Sequence, residues 1–194
     1  MSGKTESTAT TNSEVIRGKN INMETERIAR EINSAFVEYK LGNNMEYRRD
    51  MNCNFFNYCE KMYNACDEHL TIEVSLDSNE NIKTFLKDVL TEMFSDNIIN
   101  WGRIIMVFVI GAKLAVLCKD KNRTDLIDQV IQSVDKFLKT EFLEWINLKG
   151  GWKNFDQSYT EHNRITETPL INVSLGIASS LVATLFLFKT FCQG

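Results

Sequence analysis

The chain has 194 residues, of which 43% are hydrophobic and 25% are charged, and its formal net charge is −4. This length suits one domain with a substantial core, and the acidic balance gives no general attraction to nucleic acid. A single proline and nine glycines leave few helix breakers, which favours an all-helical fold. The five cysteines are scattered without a CxxC pair, so we expect neither a zinc site nor a disulfide framework.

The N-terminal part of the chain predicts a polar tail and then two helices. Residues 1–20 are rich in Ser, Thr, Asn and Lys, so we expect a disordered tail. Residues 22–41 carry apolar side chains at helical spacing, and Gly42-Asn43-Asn44 supplies the usual stop. A second helix is expected over about residues 47–70, because aromatic and apolar residues again recur at helical spacing.

A short segment and a third helix follow. Residues 71–77 alternate like a strand, but a lone strand without a partner is unstable, so we expect a loop or a short helical turn. Ser78 is a favourable N-cap for a helix that runs to about residue 94, and the apolar residues of that helix recur on one face.

The centre of the chain is strongly apolar. Almost every residue from 104 to 118 is apolar, with Lys113 the one charge. A helix that is apolar all round is either buried or lies in a membrane. Fifteen residues rise only about 22 Å, less than the roughly 30 Å of a bilayer core. We therefore expect the central helix of a soluble bundle.

Two further helices complete the predicted helical domain, which spans residues 21–160. The polar link 119–124 joins the central helix to an amphipathic partner, and this order predicts a helical hairpin. The apolar face of the partner helix consists of Leu126, Ile127, Val130, Ile131, Val134 and Leu138. A short helix around residues 142–146 is then stopped by Gly150-Gly151.

The C-terminal part predicts a membrane anchor. Residues 161–169 form a polar linker that ends at Pro169. Residues 170–188 are nineteen residues without a charge, which span about 28 Å as a helix, just enough for a bilayer. We expect a transmembrane tail over residues 170–189. The alternative is a buried last helix of the domain.

The start of the central helix carries the side chains best suited to binding a peptide. Asn100 can cap the helix, Gly102 lets another backbone come close, and Arg103 offers a planar fork for a carboxylate at the exposed rim. The competing interpretation is structural. In that interpretation Arg103 pairs with an acid of its own chain, and Trp101 belongs to the core.

Two segments carry the most specific motifs of the chain. The first comprises residues 92–96 and 100–104 with Gly111-Ala112. The second comprises Trp145, Ile146, Gly150, Gly151, Trp152, Phe155 and Tyr159. Together they resemble the first and second homology motifs of the Bcl-2 family of apoptosis regulators, and residues 36–41 resemble the fourth. The departures are an extra residue in the turn at 97–99, Met106 in place of a small residue and Glu144 in place of a proline.

The third homology motif separates the two branches of that family. Pro-death members carry Leu, three intervening residues, a small residue and then Asp. Residues 62–67 have a similar pattern, but they lie too close to Phe94 for the usual layout of the family. At the expected position Phe55-Phe56 replace the small residue and the acid. The resemblance therefore favours the pro-survival branch.

The resemblance implies an all-α, Bcl-2-like bundle of about eight helices around the central helix. The sequence carries no enzyme signature, so we expect no enzymatic activity and no cofactor or metal. A hydrophobic groove would bind the Bcl-2 homology 3 helix of pro-death members and prevent mitochondrial outer-membrane permeabilisation. Arg103 would pair with the aspartate of the partner. The other expected groove residues are Tyr63, Leu70, Val89, Glu92, Met93, Asn100, Gly102, Ile105, Met106, Ile110 and Tyr159. The tail would anchor the protein, facing the cytosol, in the mitochondrial outer membrane or the endoplasmic reticulum.

Two other interpretations of the same fold stay open. A pro-death effector would permeabilise membranes with the hairpin 104–138 and would use residues 62–67 as its third motif. A tail-anchored adaptor would keep the fold without binding death ligands. The first predicts membrane permeabilisation on activation, and the second predicts no peptide binding.

Overall fold

The computed structural model describes residues 6–43, 53–66, 70 and 72–155, and this part of the chain is all-helical. Its six α-helices are α1 (Glu6–Lys40), α2 (Cys53–Ala65), α3 (Asn79–Met93), α4 (Trp101–Asp120), α5 (Ile127–Glu141) and α6 (Leu143–Leu148). One 3-10 turn (Thr124–Leu126) precedes α5, and another (Trp152–Asn154) follows α6. The predicted linker (161–169) and transmembrane tail (170–189) lie outside the described residues.

The central helix of the bundle is α4. Every residue from 104 to 115 is buried, and α4 packs against α1, α2 and α5. Among the described helices, α4 alone is long and apolar enough to cross a membrane, but 78% of its apolar window is buried inside the bundle. Burial by the surrounding helices accounts for its all-round hydrophobicity, which confirms the prediction of a central core helix.

Side-chain caps fix the starts of α3 and α4. The Ser78 hydroxyl accepts a hydrogen bond from the Asn81 backbone N–H at 3.3 Å. Oδ1 of Asn100 accepts one from the Arg103 backbone N–H at 2.9 Å. Each oxygen satisfies a backbone donor that has no partner within its helix. Both capping predictions are confirmed, and the second cap places Arg103 in the first turn of α4.

The first helix is longer than the sequence predicted. α1 begins at Glu6 instead of residue 22, so residues 6–20 are helical where we expected a disordered tail. In the second half of α1, Ala29, Ile32 and Phe36 are buried in the core. Adding residues to a helix that packing already holds needs no new nucleus, and residues 6–20 contain no proline to stop it.

The segment after α2 explains the alternating pattern in the sequence. Residues 72–78 are not helical and form no strand, which confirms the predicted loop. Ile72, Val74 and Leu76 pack half-buried against the core, and the residues between them are exposed. Of the predicted helix 47–70, residues 53–65 are helical, whereas residues 47–52 and 67–69 lie outside the described part.

The α4–α5 hairpin and the stop after α6 also form as predicted. α5 buries Val130, Val134 and Leu138, and it packs closely against α4 and α3. α6 ends before Gly150 and Gly151, whose φ angles are 88° and 73°. Glycine adopts these left-handed values without steric cost, so the two residues let the chain leave the helix and turn.

Candidate peptide-binding site

The predicted groove residues come from three neighbouring elements. Tyr63 lies in α2 and Leu70 just after it, Val89, Glu92 and Met93 lie in α3, and Asn100, Gly102, Arg103, Ile105, Met106 and Ile110 lie at the cap or in the first half of α4. Tyr159 lies outside the described residues. The described apolar members belong to, or pack against, one hydrophobic cluster, so the fold brings them together.

Most of the apolar candidates are closed off from solvent. Leu70, Val89, Ile105, Met106 and Ile110 are at most 7% exposed, and Gly102 is buried with them. The chain itself covers these side chains, as the favourable burial of apolar surface requires, and their contact with a partner helix stays a prediction. The accessible candidates lie at the rim: Tyr63, Met93, Asn100 and Arg103 are half-buried, and Glu92 is exposed.

Arg103 lies at this rim, and its guanidinium pairs with an acid of its own chain, Asp96. Nη2 of Arg103 donates to Oδ2 of Asp96 at 2.6 Å, and Nη1 donates to Oδ1 of Asp96 and to the Ile98 carbonyl at 2.9 Å. The guanidinium also lies 5.9 Å from the centroid of the Phe94 ring. Only 17% of the side chain is exposed. Arg103 is therefore a partly buried member of a bidentate ion pair.

The turn between α3 and α4 holds Asp96 toward Arg103. Oδ1 of Asp96 also accepts a hydrogen bond from the Ile98 backbone N–H at 3.0 Å, and Asn97 has a left-handed φ of 58°. The hydrogen bonds from Arg103, and then from the Ile98 N–H, lower the pKa of Asp96 from 3.8 to about 2. The carboxylate is ionised at neutral pH.

Asp96 is the main site residue that sequence reasoning did not identify. An internal partner for Arg103 was one of the two interpretations, but the acid was not named. Asp96 precedes Arg103 by seven residues across a turn, so the i,i+3 and i,i+4 rules for charge pairs on one helix do not reveal it. The one sequence feature that could have identified Asp96 is its place in the turn just before α4, the helix that carries Arg103.

The tryptophans of the two motifs pack against each other. Trp101 is 4% exposed, and its ring centroid lies 5.1 Å from that of Trp145 and 5.0 Å from that of Phe155. Trp152 packs on the same ring, and its Nε1 donates to the Thr25 carbonyl at 3.0 Å, which ties the second motif to α1. These aromatic residues are scaffold that fixes the N-terminal end of α4.

Tyr63 has two lysines against its ring. Nζ of Lys113 lies 4.1 Å from the ring centroid, and Nζ of Lys40 lies 4.2 Å from it. Lys113 is only 9% exposed, and the cation–π contact offsets part of the cost of burying its charge. The sequence identified Lys113 as the one charge between residues 104 and 118, but it did not identify the aromatic partner of Lys113.

The described residues contain no group of three or more His, Cys, Asp or Glu side chains placed to hold a metal ion. Burial raises the pKa of the Cys59, Cys66 and Cys118 thiols, so these thiols stay protonated at neutral pH. A cleft of about 780 Å³ opens between α1 and residues 147–153, and none of the predicted groove residues lines it.

Comparisons with known proteins give the same family that the two motifs resemble. The family model for apoptosis regulator proteins of the Bcl-2 family matches residues 49–152. The apoptosis regulator Bcl-2 homolog of African swine fever virus is 42% identical over 94 residues, which cover 48% of this chain and 51% of the viral protein. Bcl-2-like protein 1 of Gallus gallus is 29% identical over 100 residues, which cover 52% of this chain and 43% of that protein. The chain spans about half the length of the curated relatives it matches.

A solved structure gives the same fold. The crystal structure of chicken BOK superposes with a TM-score of 0.60 at 15% sequence identity, covering 70% of this chain and 97% of that one. This likeness confirms the predicted Bcl-2-like bundle around a central apolar helix. Because the family model matches more than half of the chain and includes the first motif and most of the second, this protein belongs to the Bcl-2 family of apoptosis regulators.

Proposed function

We propose that this protein inhibits apoptosis by binding the amphipathic Bcl-2 homology 3 helix of pro-death family members, which keeps them from permeabilising the mitochondrial outer membrane. The observation that carries the proposal is the state of Arg103. Its guanidinium lies at the rim of the apolar cluster and binds the carboxylate of Asp96, an acid of the same chain, in bidentate geometry. Such a site is suited to the aspartate of a bound helix. The similarity to viral Bcl-2 homologues supports the inhibitory direction.

The bundle offers a place for this helix between α3 and α4. α3 packs mainly against α5 and only lightly against α4, so α3 can separate from α4 without losing most of its contacts. Val89 of α3 and Ile105 and Ile110 of α4 would then be covered by the apolar stripe of the ligand. Burial under the ligand restores the favourable free energy that opening the bundle removes.

Replacing Arg103 with Ala tests the proposal. We expect the variant to bind a peptide with the Leu, three residues, small residue and Asp pattern about thirtyfold or more weakly, because truncating one partner of a desolvated charge pair costs about 2–5 kcal/mol. Calorimetric titration measures the affinity, and circular dichroism checks that the helical content is unchanged.

Arg123→Ala is the matched control, because Arg123 forms a similar bidentate pair with Asp125 beyond the other end of α4. This variant should bind the peptide like the wild type. If Arg103→Ala also binds like the wild type, Arg103 does not hold the aspartate of the partner.

A pore-forming effector of the same fold is the second candidate, because α4 is long and apolar enough to span a membrane. Its third motif would be residues 62–67, in which Met62 and Cys66 are 5% and 1% exposed. Buried in this way, the motif reaches the groove of another protein only if α2 leaves the bundle. Dye release from liposomes on addition of the peptide would favour the effector, whereas peptide binding without release would favour the inhibitor.

We further propose that residues 170–189 anchor the protein in the mitochondrial outer membrane or the endoplasmic reticulum, with the helical domain facing the cytosol. The support is the run of nineteen uncharged residues, whose helical length of about 28 Å suits a bilayer. Deleting residues 170–194 should move the protein from the membrane fraction to the soluble fraction. Membrane binding that persists after this deletion would refute the anchor.

A further inference from the structure

The aspartate of a bound helix and Asp96 need the same atoms of Arg103. Asp96 takes the fork formed by Nη1 and Nη2, and Nη1 uses its other hydrogen on the Ile98 carbonyl. A carboxylate that approaches from a partner and forms a bidentate contact with this fork finds it filled. The free protein therefore presents an arginine that is already neutralised.

The remaining donors of Arg103 are a poor alternative. Within the described part of the chain, Nε and one hydrogen of Nη2 have no acceptor, but only 17% of the side chain is exposed. A second carboxylate at that edge would also lie close to the carboxylate of Asp96, and like charges at short range repel each other. Binding at the fork therefore requires that Asp96 leaves.

Asp96 can leave more easily than Arg103. The side chain of Asp96 is 43% exposed, so water can solvate its carboxylate once the ion pair breaks. Arg103 is held in addition by the Ile98 carbonyl and lies against the Phe94 ring. Exchange of one carboxylate for another thus leaves the guanidinium in place.

We propose that Asp96 is an internal competitor for Arg103, whose carboxylate occupies the guanidinium in the free protein and is displaced by the aspartate of a bound helix. This inference rests on the proposed function and adds a rule of specificity to it. Displacement weakens binding of every acidic helix by the stability of the internal pair. Helices with a strong apolar stripe bind in spite of this cost, and helices that depend mainly on their aspartate are rejected.

A double-mutant cycle on the full-length chain tests the competition. Asp96→Asn keeps the size of the side chain and an oxygen for the Ile98 N–H, but it removes the charge that holds Arg103. The probes are an amphipathic peptide with the Leu, three residues, small residue and Asp pattern, and the same peptide with Asn in place of that Asp. Calorimetry gives the dissociation constant of each pair. Asp125→Asn, which breaks the comparable exposed pair with Arg123, is the matched control.

We expect Asp96→Asn to bind the aspartate probe up to about fivefold more tightly than the wild type does. The control should bind like the wild type. The preference for the aspartate probe over the asparagine probe should also widen in Asp96→Asn, because only the charged probe gains from the freed guanidinium.

Equal or weaker binding by Asp96→Asn, in a protein that still prefers the aspartate probe, overturns the competition and leaves the proposed function standing. Failure of both the wild type and Asp96→Asn to bind either probe overturns the two proposals together. Circular dichroism checks the fold of each variant. Asp96→Ser, which also keeps an oxygen for the Ile98 N–H, provides the same comparison if the Asn variant does not fold.

Discussion

Trp101 and Arg103 stand two residues apart in one motif, yet they belong to different regions of the molecule. Trp101 is part of an aromatic cluster (Phe55, Trp101, Phe108, Trp145, Trp152 and Phe155) and is 4% exposed. Arg103 belongs to the rim, where it pairs with the half-exposed Asp96. Packed aromatic rings hold the cluster together, whereas a partly exposed ion pair holds the rim.

The difference separates stability from recognition within a single motif. The cluster holds the N-terminal end of α4 in place through Trp101. Under the proposed function, binding of a charged helix depends on the rim, and there on Asp96 as well as on Arg103. A motif match is therefore stronger evidence for the fold than for the ligand.

The largest effect on stability is expected from removing one ring of the aromatic cluster. Phe55 is fully buried, and its ring centroid lies 4.9 Å from those of Trp152 and Phe155. Phe55→Ala should lower the free energy of unfolding by about 3–5 kcal/mol, measured by urea denaturation. Leu148→Ala is the control, because Leu148 is 78% exposed, and it should change stability by less than about 0.5 kcal/mol. If Phe55→Ala lowers the free energy of unfolding by much less than this, the aromatic cluster is not what holds the N-terminal end of α4.

A smaller effect is expected where α4 meets α5. A Cβ added at Gly111 would lie 2.8 Å from Cγ2 of Val134, and a helical valine has essentially one χ1 rotamer, so it cannot turn aside. Gly111→Ala should destabilise the fold by about 1–3 kcal/mol.

Gly18→Ala in α1 is the matched control, since its added Cβ would meet nothing within 4 Å beyond its chain neighbours and the backbone of its own helix. It should be neutral or stabilising by up to about 1 kcal/mol, because alanine favours a helix more than glycine does. If Gly111→Ala unfolds at the same urea concentration as the wild type, α4 and α5 can move apart without cost, and the interior is less tightly packed than the comparison with the rim assumes.

The helices could be predicted from the sequence because their signals are local. Ser78 and Asn100 cap α3 and α4 through their own side chains, and Gly150 ends α6 through its own backbone conformation. The helical start of α1 at Glu6 has no such local signal. Residues 6–20 continue a helix that packing holds further along the chain, and their own composition favours disorder.

The candidate site could be predicted only in part, because its state depends on tertiary contacts. The motif placed Arg103 in the first turn of α4, and Ile105 and Ile110 belong to the continuous apolar run of residues 104–118. Periodicity shows that a face is apolar but does not distinguish cover by the chain itself from cover by a ligand. The pairing of Arg103 with Asp96 likewise depends on the path of the turn between α3 and α4.

The smallest effect concerns charge. The pKa of Asp96 at the rim is lowered, whereas the pKa of Asp135 in the interior is raised. Arg103 lowers the pKa of Asp96 to about 2, so its contribution to stability is present above the ordinary value of 3.8 and is lost as the pH falls through about 2. Burial raises the pKa of Asp135, although the Asn33 amide donates to it at 2.8 Å and opposes that shift. Its contribution is therefore present below 3.8 and is lost as the pH rises through the raised pKa.

Replacing each acid with Asn should change the pH dependence of unfolding in opposite directions. Relative to the wild type, Asp96→Asn should lose stability as the pH rises from about 2 through the ordinary value of 3.8, whereas Asp135→Asn should gain stability as the pH rises above the ordinary pKa of an aspartate. Urea unfolding at several pH values measures both differences. If both variants shift in the same direction, the two carboxylates share one kind of environment. The distinction between an exchangeable rim and a packed interior would then hold for apolar contacts but not for charge.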